Sequence, residues 1–493
     1  MKTLIRNALI VTMNDQNDII ENGSIVIDGS RMTYVGPSDW TPPGSFERVI
    51  DGDRMIVIPG MVNAHCHSPA NLLRGMMPSK PLEIWRAHYR ASLRGMRDED
   101  FYASALLGGM EMLKNGTTTV LDHFFGNQAC RFMGAGAAIQ AMRDLGLRHV
   151  VALTLSDKNY EETLPLGKTA TTLNKEIQRM SESEAKKTQA WLDECEAFIG
   201  TFHNPEKLTT CCPGPSAVQR CTDELLEGSA EIARNGKLPM HIHLAETKAQ
   251  QTMGQQLYRQ SLLQHLDSLG VLGSNLSLAH SIWINPEDID LFAARGATPV
   301  HNPASNLRLG SGLAPVHALI RAGVNVALGT DGAASNDGQN MFDAIRLTAL
   351  IHNQAGSDFN QWVTPLQALM MATRNGARAF GLEAGVLSAG KLADLVLLRR
   401  DTTAFTPLND VVRQLVFCEN GRSVDSVIVN GEIVVEKGQL TTVDQKDVLA
   451  LAVRARERLN PSIESETAAA KTMEPALEEM YFRLFEKQKR NVT

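Results

Sequence analysis

The chain begins with short apolar stretches that alternate with polar positions and break at turns. "NALIVTMND" and "GSIVIDGSRMTYVGPSD" have this pattern, and their DG, GS and GP breaks predict strands joined by tight turns. The same character returns in "KLADLVLLR" and "VDSVIVNGEIVVEKG", where Asn-Gly between apolar runs is a strong hairpin signal. β-rich segments at opposite ends predict one small sheet domain assembled from both.

Between them the period changes. Short apolar runs alternate with longer segments whose apolar residues recur at helical spacing, such as "DFYASALLGGMEMLKNG" with its glycine stop. Strands are predicted at 55–64, 117–123, 147–155, 207–212, 238–244, 275–280, 297–302 and 324–331. Eight β-then-α units imply a parallel sheet, and eight is the number that closes a (β/α)8 TIM barrel. The expected organisation is a β-sandwich part over 1–57, the barrel over 58–385, a second sandwich part over 386–442 and a helical extension over 443–493. Residues 156–206 read as two charged helical pieces elaborating a βα loop near the barrel mouth. The tail after 442 is polar and helical, and its packing surface, on the body or on a neighbouring subunit, stays open.

Composition narrows the partner more than the fold. The 493 residues are 43% hydrophobic and 21% charged, ordinary globular values. A net charge of −7 gives no basic field for nucleic acid or acidic membranes. Seven cysteines without a CxxC pair suit reduced thiols. "MKTLIRNALIVTMNDQN" lacks the apolar core of a signal peptide, and no apolar run approaches the ~20 residues of a membrane helix. The expectation is a cytoplasmic protein with a small-molecule partner, no nucleic acid and no membrane.

The histidines change the picture. His65 and His67 follow the first barrel strand, His241 and His243 sit in the fifth, His280 ends the sixth, His301 the seventh and Asp331 the eighth. In a barrel all these strand ends open on one face. A lone HxH at a strand end is more often simply hydrogen-bonded, but three such features at matching ends compound. The set suits Zn²⁺, one per subunit, with Fe²⁺ or Mn²⁺ as less selective alternatives. By strand alternation Cys66 points out of the barrel, while His241 lies one layer below His243 as a satisfied core or supporting histidine.

"PGMVNAHCHSPANLLRG", "HIHLAET", "LAHSIWI", "HNPASNLRLGSGLAPV" and "ALGTDGAASNDGQNMFDAIRLTAL" resemble the amidohydrolase superfamily. More narrowly they resemble its branch of methylthioadenosine/S-adenosylhomocysteine deaminases and triazine hydrolases. The resemblance runs from about residue 3 to 440 and implies a metal-holding barrel flanked by a β-sandwich. It assigns the metal to His65, His67, His243 and Asp331, and places His280 beside the metal and its water. It makes Glu246 the proton shuttle, with Asp331 and His280 assisting catalysis. Trp85, in "KPLEIWRAHY", resembles a pocket-lining aromatic residue, and His301 a substrate-facing position, while Asn302 and Asn306 shape the loop. His123, Phe124 and Phe125 read as an aromatic pocket wall. The implied activity is hydrolytic removal of an exocyclic amino group from an N-heterocycle by metal-activated water. Family habit implies a homodimer or homotetramer.

The sequence departs from the adenosine-type branch at two points. The acidic residue that follows the tryptophan in those deaminases is absent from "HYRASLRGM", which carries Arg90 and Arg94 instead. Their strand-4 Pro-His-x-Pro-Tyr pattern corresponds here to "CCPGPSAVQRC", with Gly214 read at the histidine position. Missing hydroxyl-reading groups weaken the case for a nucleoside. Two other readings therefore stand beside deamination: displacement of an alkylamine, chloride or thiolate from a triazine-like ring, and a barrel kept as a non-catalytic scaffold.

Overall fold

A computed structural model of the chain describes residues 2–39, 45–166, 187–354 and 358–489. All eight expected inner strands are present, as two parallel sheets of four. The first contains β1 (Met61–Cys66), β2 (Thr117–Phe124), β3 (Arg148–Leu155) and β4 (Thr209–Pro215). The second contains β5 (Met240–Leu244), β6 (Leu276–His280), β7 (Thr298–His301) and β8 (Ala327–Leu328). Within each sheet, each strand pairs with the next in chain order, in parallel. β1, β2 and β3 are buried along their whole length, as strands covered on both faces must be.

The sheets meet at two seams. Ala217, just past β4, bridges His243 of β5. On the other side Asp331 N–H donates to the His65 carbonyl at 2.9 Å, and the Asn63 amide donates to Thr330 Oγ1 at 2.7 Å. β8 is shorter than the predicted 324–331 because Gly329 turns close under β1. A Cβ there would lie 2.9 Å from His65 N, so only glycine allows this approach.

The predicted strand 55–64 divides at Gly60. Met55–Pro59 pairs antiparallel with Leu395–Arg399, and β1 starts only at Met61. Both halves are buried and apolar, so hydrophobic pattern alone could not separate them. The strands of the two chain ends form one nine-stranded sheet in which Met55–Pro59 lies between Leu395–Arg399 and Lys2–Val11. The expected Asn-Gly hairpin is there: Asn430 and Gly431 take φ of 54° and 84°, linking Val424–Val429 to Glu432–Glu436. The sheet is fastened beneath the parallel strands by Arg148, at the start of β3. Its guanidinium donates to both oxygens of Asp394 at 3.0 and 3.1 Å.

Helix Thr188–Phe202, within the stretch 156–206 expected near the mouth, has its Trp191 on a cavity continuous with the pocket at the strand ends, but most of it lies along the strands. It packs on β3, β4 and helix Asp223–Gly236, and so serves as the connection between β3 and β4. The other charged piece expected in this stretch lies outside the described residues. The tail forms helices Gln445–Lys471 and Glu474–Lys489, which pack on the body against helix Leu82–Leu93. His88 Nε2 lies 2.6 Å from Glu474 Oε1, and Lys80 and Arg94 pair with Glu478 and Glu466 at 2.7 and 3.0 Å. Among the described residues no helix is long and apolar enough to cross a membrane.

Candidate metal centre and active-site pocket

Strand alternation brings His65 and His67 to one side of β1, and hydrogen bonds orient each ring. His67 Nδ1–H donates to the His123 carbonyl at 2.6 Å, and His243 Nδ1–H to the Ser216 carbonyl at 2.7 Å. A chain of bonds orients His65. Ser277 Oγ–H donates to the Met240 carbonyl at 3.3 Å and accepts from His241 Nδ1–H at 2.6 Å. His241 Nε2 is then an acceptor, and His65 Nδ1–H donates to it at 2.9 Å. In all three rings the Nε2 lone pair is left facing the centre. His65 Nε2 is buried with no hydrogen-bond partner.

Asp331 completes the group. Its Oδ1 lies 3.5 Å from His65 Nε2 and 3.3 Å from His67 Nε2. Oδ2 accepts from Ser305 Oγ at 2.5 Å. One ligand atom from each of His65, His67 and Asp331, and likewise of His65, His243 and His280, lie within 4.8 Å of one another. Nitrogen donors with outward-facing Nδ1 atoms already occupied, plus one carboxylate oxygen, fit a zinc site. Burial pushes the His65 imidazole down to about 4, and pushes His243 well below its ordinary value, so both rings are neutral and able to ligate. Burial alone would raise the Asp331 carboxyl. The close approach of His65, with His67 and His280, outweighs it and holds the group well below the usual range.

Glu246 follows β5 on a turn whose residue Ala245 has φ of 44°. Burial raises its carboxyl to about 7. His280 Nε2 lies 3.8 Å from Glu246 Oε2, while His280 Nδ1–H donates to Asn306 Oδ1 at 2.9 Å. His280 and Asp331 take φ of 71° and 62°, so the site holds non-glycine residues in the left-handed region.

A pocket with about 620 Å³ of empty space, partly open to solvent, lies over these groups. His67, His243, Glu246, His280 and Asp331 line its floor, and Trp85, Tyr89, His123 and Phe125 its walls. Trp85 and Tyr89 stack at 4.9 Å, and Trp85 Nε1–H donates to the Ala334 carbonyl at 3.0 Å, tying the wall to the loop after Asp331. His123 is buried with both ring nitrogens unpartnered. Asp337 holds that loop too, accepting from Gly75 N at 2.7 Å and Arg308 Nε at 2.5 Å.

Three positions differ from the sequence reading. His301 is not brought to the pocket: Asn302 lies against His280, and period-2 alternation sends His301 the other way, where it meets His352 at 3.2 Å. Phe124 likewise turns away and packs on Phe101 at 5.6 Å. At the end of β4 the pocket-lining residue is Ser216, not Gly214. A Cβ on Gly214 would lie 2.9 Å from the backbone of Ala152 and Leu153, so no side chain fits there.

Residues missed by sequence reasoning are Arg86, Tyr89, Arg220 and Gln250, all on the pocket wall, together with the lining role of Arg90. Trp85, Arg86, Tyr89 and Arg90 sit at i, i+1, i+4 and i+5, one helical face, and that spacing was a readable signal. Arg220 ends a short turn, Val218–Arg220, and carries no such signal.

The amidohydrolase family matches residues 56–434. The chain belongs to this family. It is 32% identical over 453 residues to the 5-methylthioadenosine/S-adenosylhomocysteine deaminase of Thermoanaerobacter pseudethanolicus, covering 91% of this chain and 97% of that protein. It is 33% identical to the 5'-deoxyadenosine deaminase of Methanothermobacter thermautotrophicus, covering 89% and 95%. Among solved structures it is similar to the atrazine chlorohydrolase of Arthrobacter aurescens TC1 complexed with zinc (TM-score 0.82, 27% identity, 92% of this chain and 100% of that one). It is also similar to an adenosine deaminase from Xanthomonas campestris with bound zinc (TM-score 0.82, 26% identity, 93% and 98%).

Proposed function

We propose that this chain is a metal-dependent aminohydrolase, cleaving a carbon–nitrogen bond to remove an exocyclic amino group from an N-heterocycle. The observation that carries the reading is the convergence of pre-oriented imidazoles, those of His65 and His243 neutral, and an ionised Asp331 beside a buried carboxyl held near neutrality. His65, His67, His243 and Asp331 would hold Zn²⁺, one per subunit, and Fe²⁺ or Mn²⁺ would suit the same donors. When bound, such an ion lowers the pKa of a coordinated water so that hydroxide is available at neutral pH.

The protein's own groups move the protons. Asp331 accepts a proton at its carboxylate. Glu246, partly protonated near pH 7, donates through its carboxyl to a ring nitrogen, leaving the adjacent carbon electron-poor. His280, its Nδ1 tied to Asn306, presents Nε2 to the attacking oxygen. The stacked pair Trp85 and Tyr89, with His123, flanks the ring. The relatives named as deaminases of adenosine derivatives support this reading, since the likeness covers nearly their whole length.

A second reading keeps these groups and displaces an alkylamine, chloride or thiolate from a triazine-like ring. It is supported by the likeness to atrazine chlorohydrolase and by Arg90 and Arg94 where a ribose-reading carboxylate was sought. Zinc-loaded protein incubated with aminated purines, pterins, pyrimidines and triazines distinguishes the two: ammonia supports deamination, chloride or alkylamine the alternative. Protein that holds no metal by elemental analysis and turns over nothing is the non-catalytic scaffold.

We read the two four-stranded sheets as halves of one (β/α)8 barrel over 58–385, on the support of the two seams. The nine-stranded sheet is read as a β-sandwich built from 1–57 and 386–442, with 443–493 as a helical extension. The assembly is read as a cytoplasmic homodimer or homotetramer, supported by exposed Leu449, Val453 and Phe482 on the tail helices. A monomeric mass in light scattering overturns that reading of the assembly.

A further inference from the structure

The pocket lining is rich in arginine. Arg86, Arg90 and Arg220 all line it. Burial lowers all three guanidiniums, Arg220 to about 10, which still leaves it charged at neutral pH. Each of the three is repelled by another of the cluster or repels one, so the wall gathers like charge where water is scarce.

The carboxylates that face Arg86 and Arg220 are near them but do not close on them. Of the carboxylates near Arg86 and Arg220, Glu83 is engaged by Thr247 Oγ1 at 2.5 Å and Glu246 is the proposed proton carrier. Among the described residues neither Arg86 nor Arg220 has a carboxylate oxygen within 4.0 Å. Arg86 Nη1 and Arg220 Nε are buried with no hydrogen-bond partner, and the contact of Arg220 with Ser216 Oγ is long, at 3.5 Å. The planes are nevertheless held. Arg86 lies over the Tyr160 ring at 4.7 Å, and Arg90 over Phe125 at 5.0 Å. A second cavity shares Arg86, Arg90, Phe125, Thr154 and Ser216 with the first and continues outward to Arg94 and Asn127. Arg94 is already paired with Glu466, so within the pocket Arg86 and Arg220 carry the unpartnered guanidinium atoms.

We propose that the pocket takes heterocycles bearing an anionic substituent, a carboxylate or a phosphate, gripped by Arg86 and Arg220 while the ring lies over the metal donors. Planar guanidinium forks match both oxyanions, and a buried donor left unpaired is costly until an anion fills it. The placement of the ring rests on the aminohydrolase reading; the anion grip does not.

The test is equilibrium binding to zinc-loaded Glu246→Gln protein by titration calorimetry. The probes are adenosine with adenosine 5'-monophosphate, and pterin with pterin-6-carboxylate. The anionic member of at least one pair should bind at least about tenfold tighter, and which pair does so separates phosphate from carboxylate. Arg86→Met with Arg220→Met should erase the preference, and Arg86→Lys, which keeps charge but loses the fork, should weaken it. Thermal melting within a few degrees of the parent shows that a variant has folded. Equal binding within both pairs, no binding of either anion, or a preference that survives the double substitution overturns the grip. Turnover of the unsubstituted enzyme answers separately: ammonia without charge preference keeps the deaminase and removes the grip, whereas charge preference without ammonia keeps the grip and removes the deaminase.

Discussion

The two ends of the parallel strands treat their buried charges differently. At the N-terminal end Arg148 and Asp394 are both buried, and each is satisfied: the guanidinium makes two bonds to the carboxylate, and Asp394 Oδ1 also accepts from Asn430 N at 2.6 Å. At the C-terminal end His65 Nε2, both nitrogens of His123, Arg86 Nη1 and Arg220 Nε are buried and unpartnered. His280 and Asp331 there sit at positive φ. Buried polar groups without partners destabilise a fold, so their concentration at one end marks where a ligand is meant to complete them. Thr117 Oγ1 and His149 Nδ1 at the other end are also unpartnered, but the buried ion pair there is closed on itself and no parallel strand starts on a residue at positive φ.

That contrast is most exposed to failure at Glu246. Glu246→Gln keeps the shape of the side chain and removes the titrating proton. We expect kcat/KM for ammonia release to fall about 10³-fold, within the usual range for a positioned acid or base, with the melting temperature unchanged or slightly raised. Turnover close to the unsubstituted level would remove Glu246 from the proton path.

The opposite end should respond the opposite way. Arg148→Met leaves Asp394 buried and unpaired, and breaking one side of such a pair costs about 3–5 kcal/mol. Urea unfolding should show that loss, while the kcat of the folded fraction is retained. A large fall in kcat with stability intact would abolish the division between the ends.

His241 sharpens the boundary, because it lies between the two regimes. It is fully satisfied, like the Arg148–Asp394 pair, yet it sets which nitrogen of His65 faces the metal. His241→Phe keeps the volume and removes the acceptor. Zinc affinity, measured by competition with a chelator, should drop about 10–100-fold, as for other partners of metal-ligating histidines. Unchanged affinity would mean that the hydrogen-bond chain through Ser277 does not orient His65.

How much of this was legible depended on the period of the pattern. His65 and His67, with the intervening Cys66, could be assigned a side from alternation alone, and the Asn430–Gly431 turn from its residue types. The division of 55–64 at Gly60 could not, because a strand buried in one sheet reads like a strand buried in the next. His301 and Asn302 differ by one residue in register, and no apolar partner on either side said which faced inward. Arg86 and Arg90 shared a readable helical face with Trp85, but which way that face turned was decided by the tail helices, through Glu474 on His88 and Glu466 on Arg94. These are contacts across more than 370 residues, beyond any local pattern.

The smallest expected effect concerns pH, and it tests whether the mouth is tuned or merely crowded. Burial raises the folded-state value of Glu246 to about 7, from an ordinary carboxyl value of 4.5. The protonated form is the one that can donate to a ring nitrogen, so it is abundant below pH 7 and is lost above it. With a substrate whose ring does not titrate in this range, kcat/KM should therefore decline by about tenfold per pH unit above the midpoint. The same raised value makes a stability statement of definite sign. The unfolded state releases this proton near pH 4.5, so the metal-free fold is penalised at this residue as pH rises from there towards 7. Glu246→Gln removes both effects together. In that variant the residual rate should lose its alkaline limb, and the gap in melting temperature between variant and parent should widen from pH 5 to pH 8. A limb that persists in the variant belongs to another group, and the carboxyl of Glu246 would then be buried without being used.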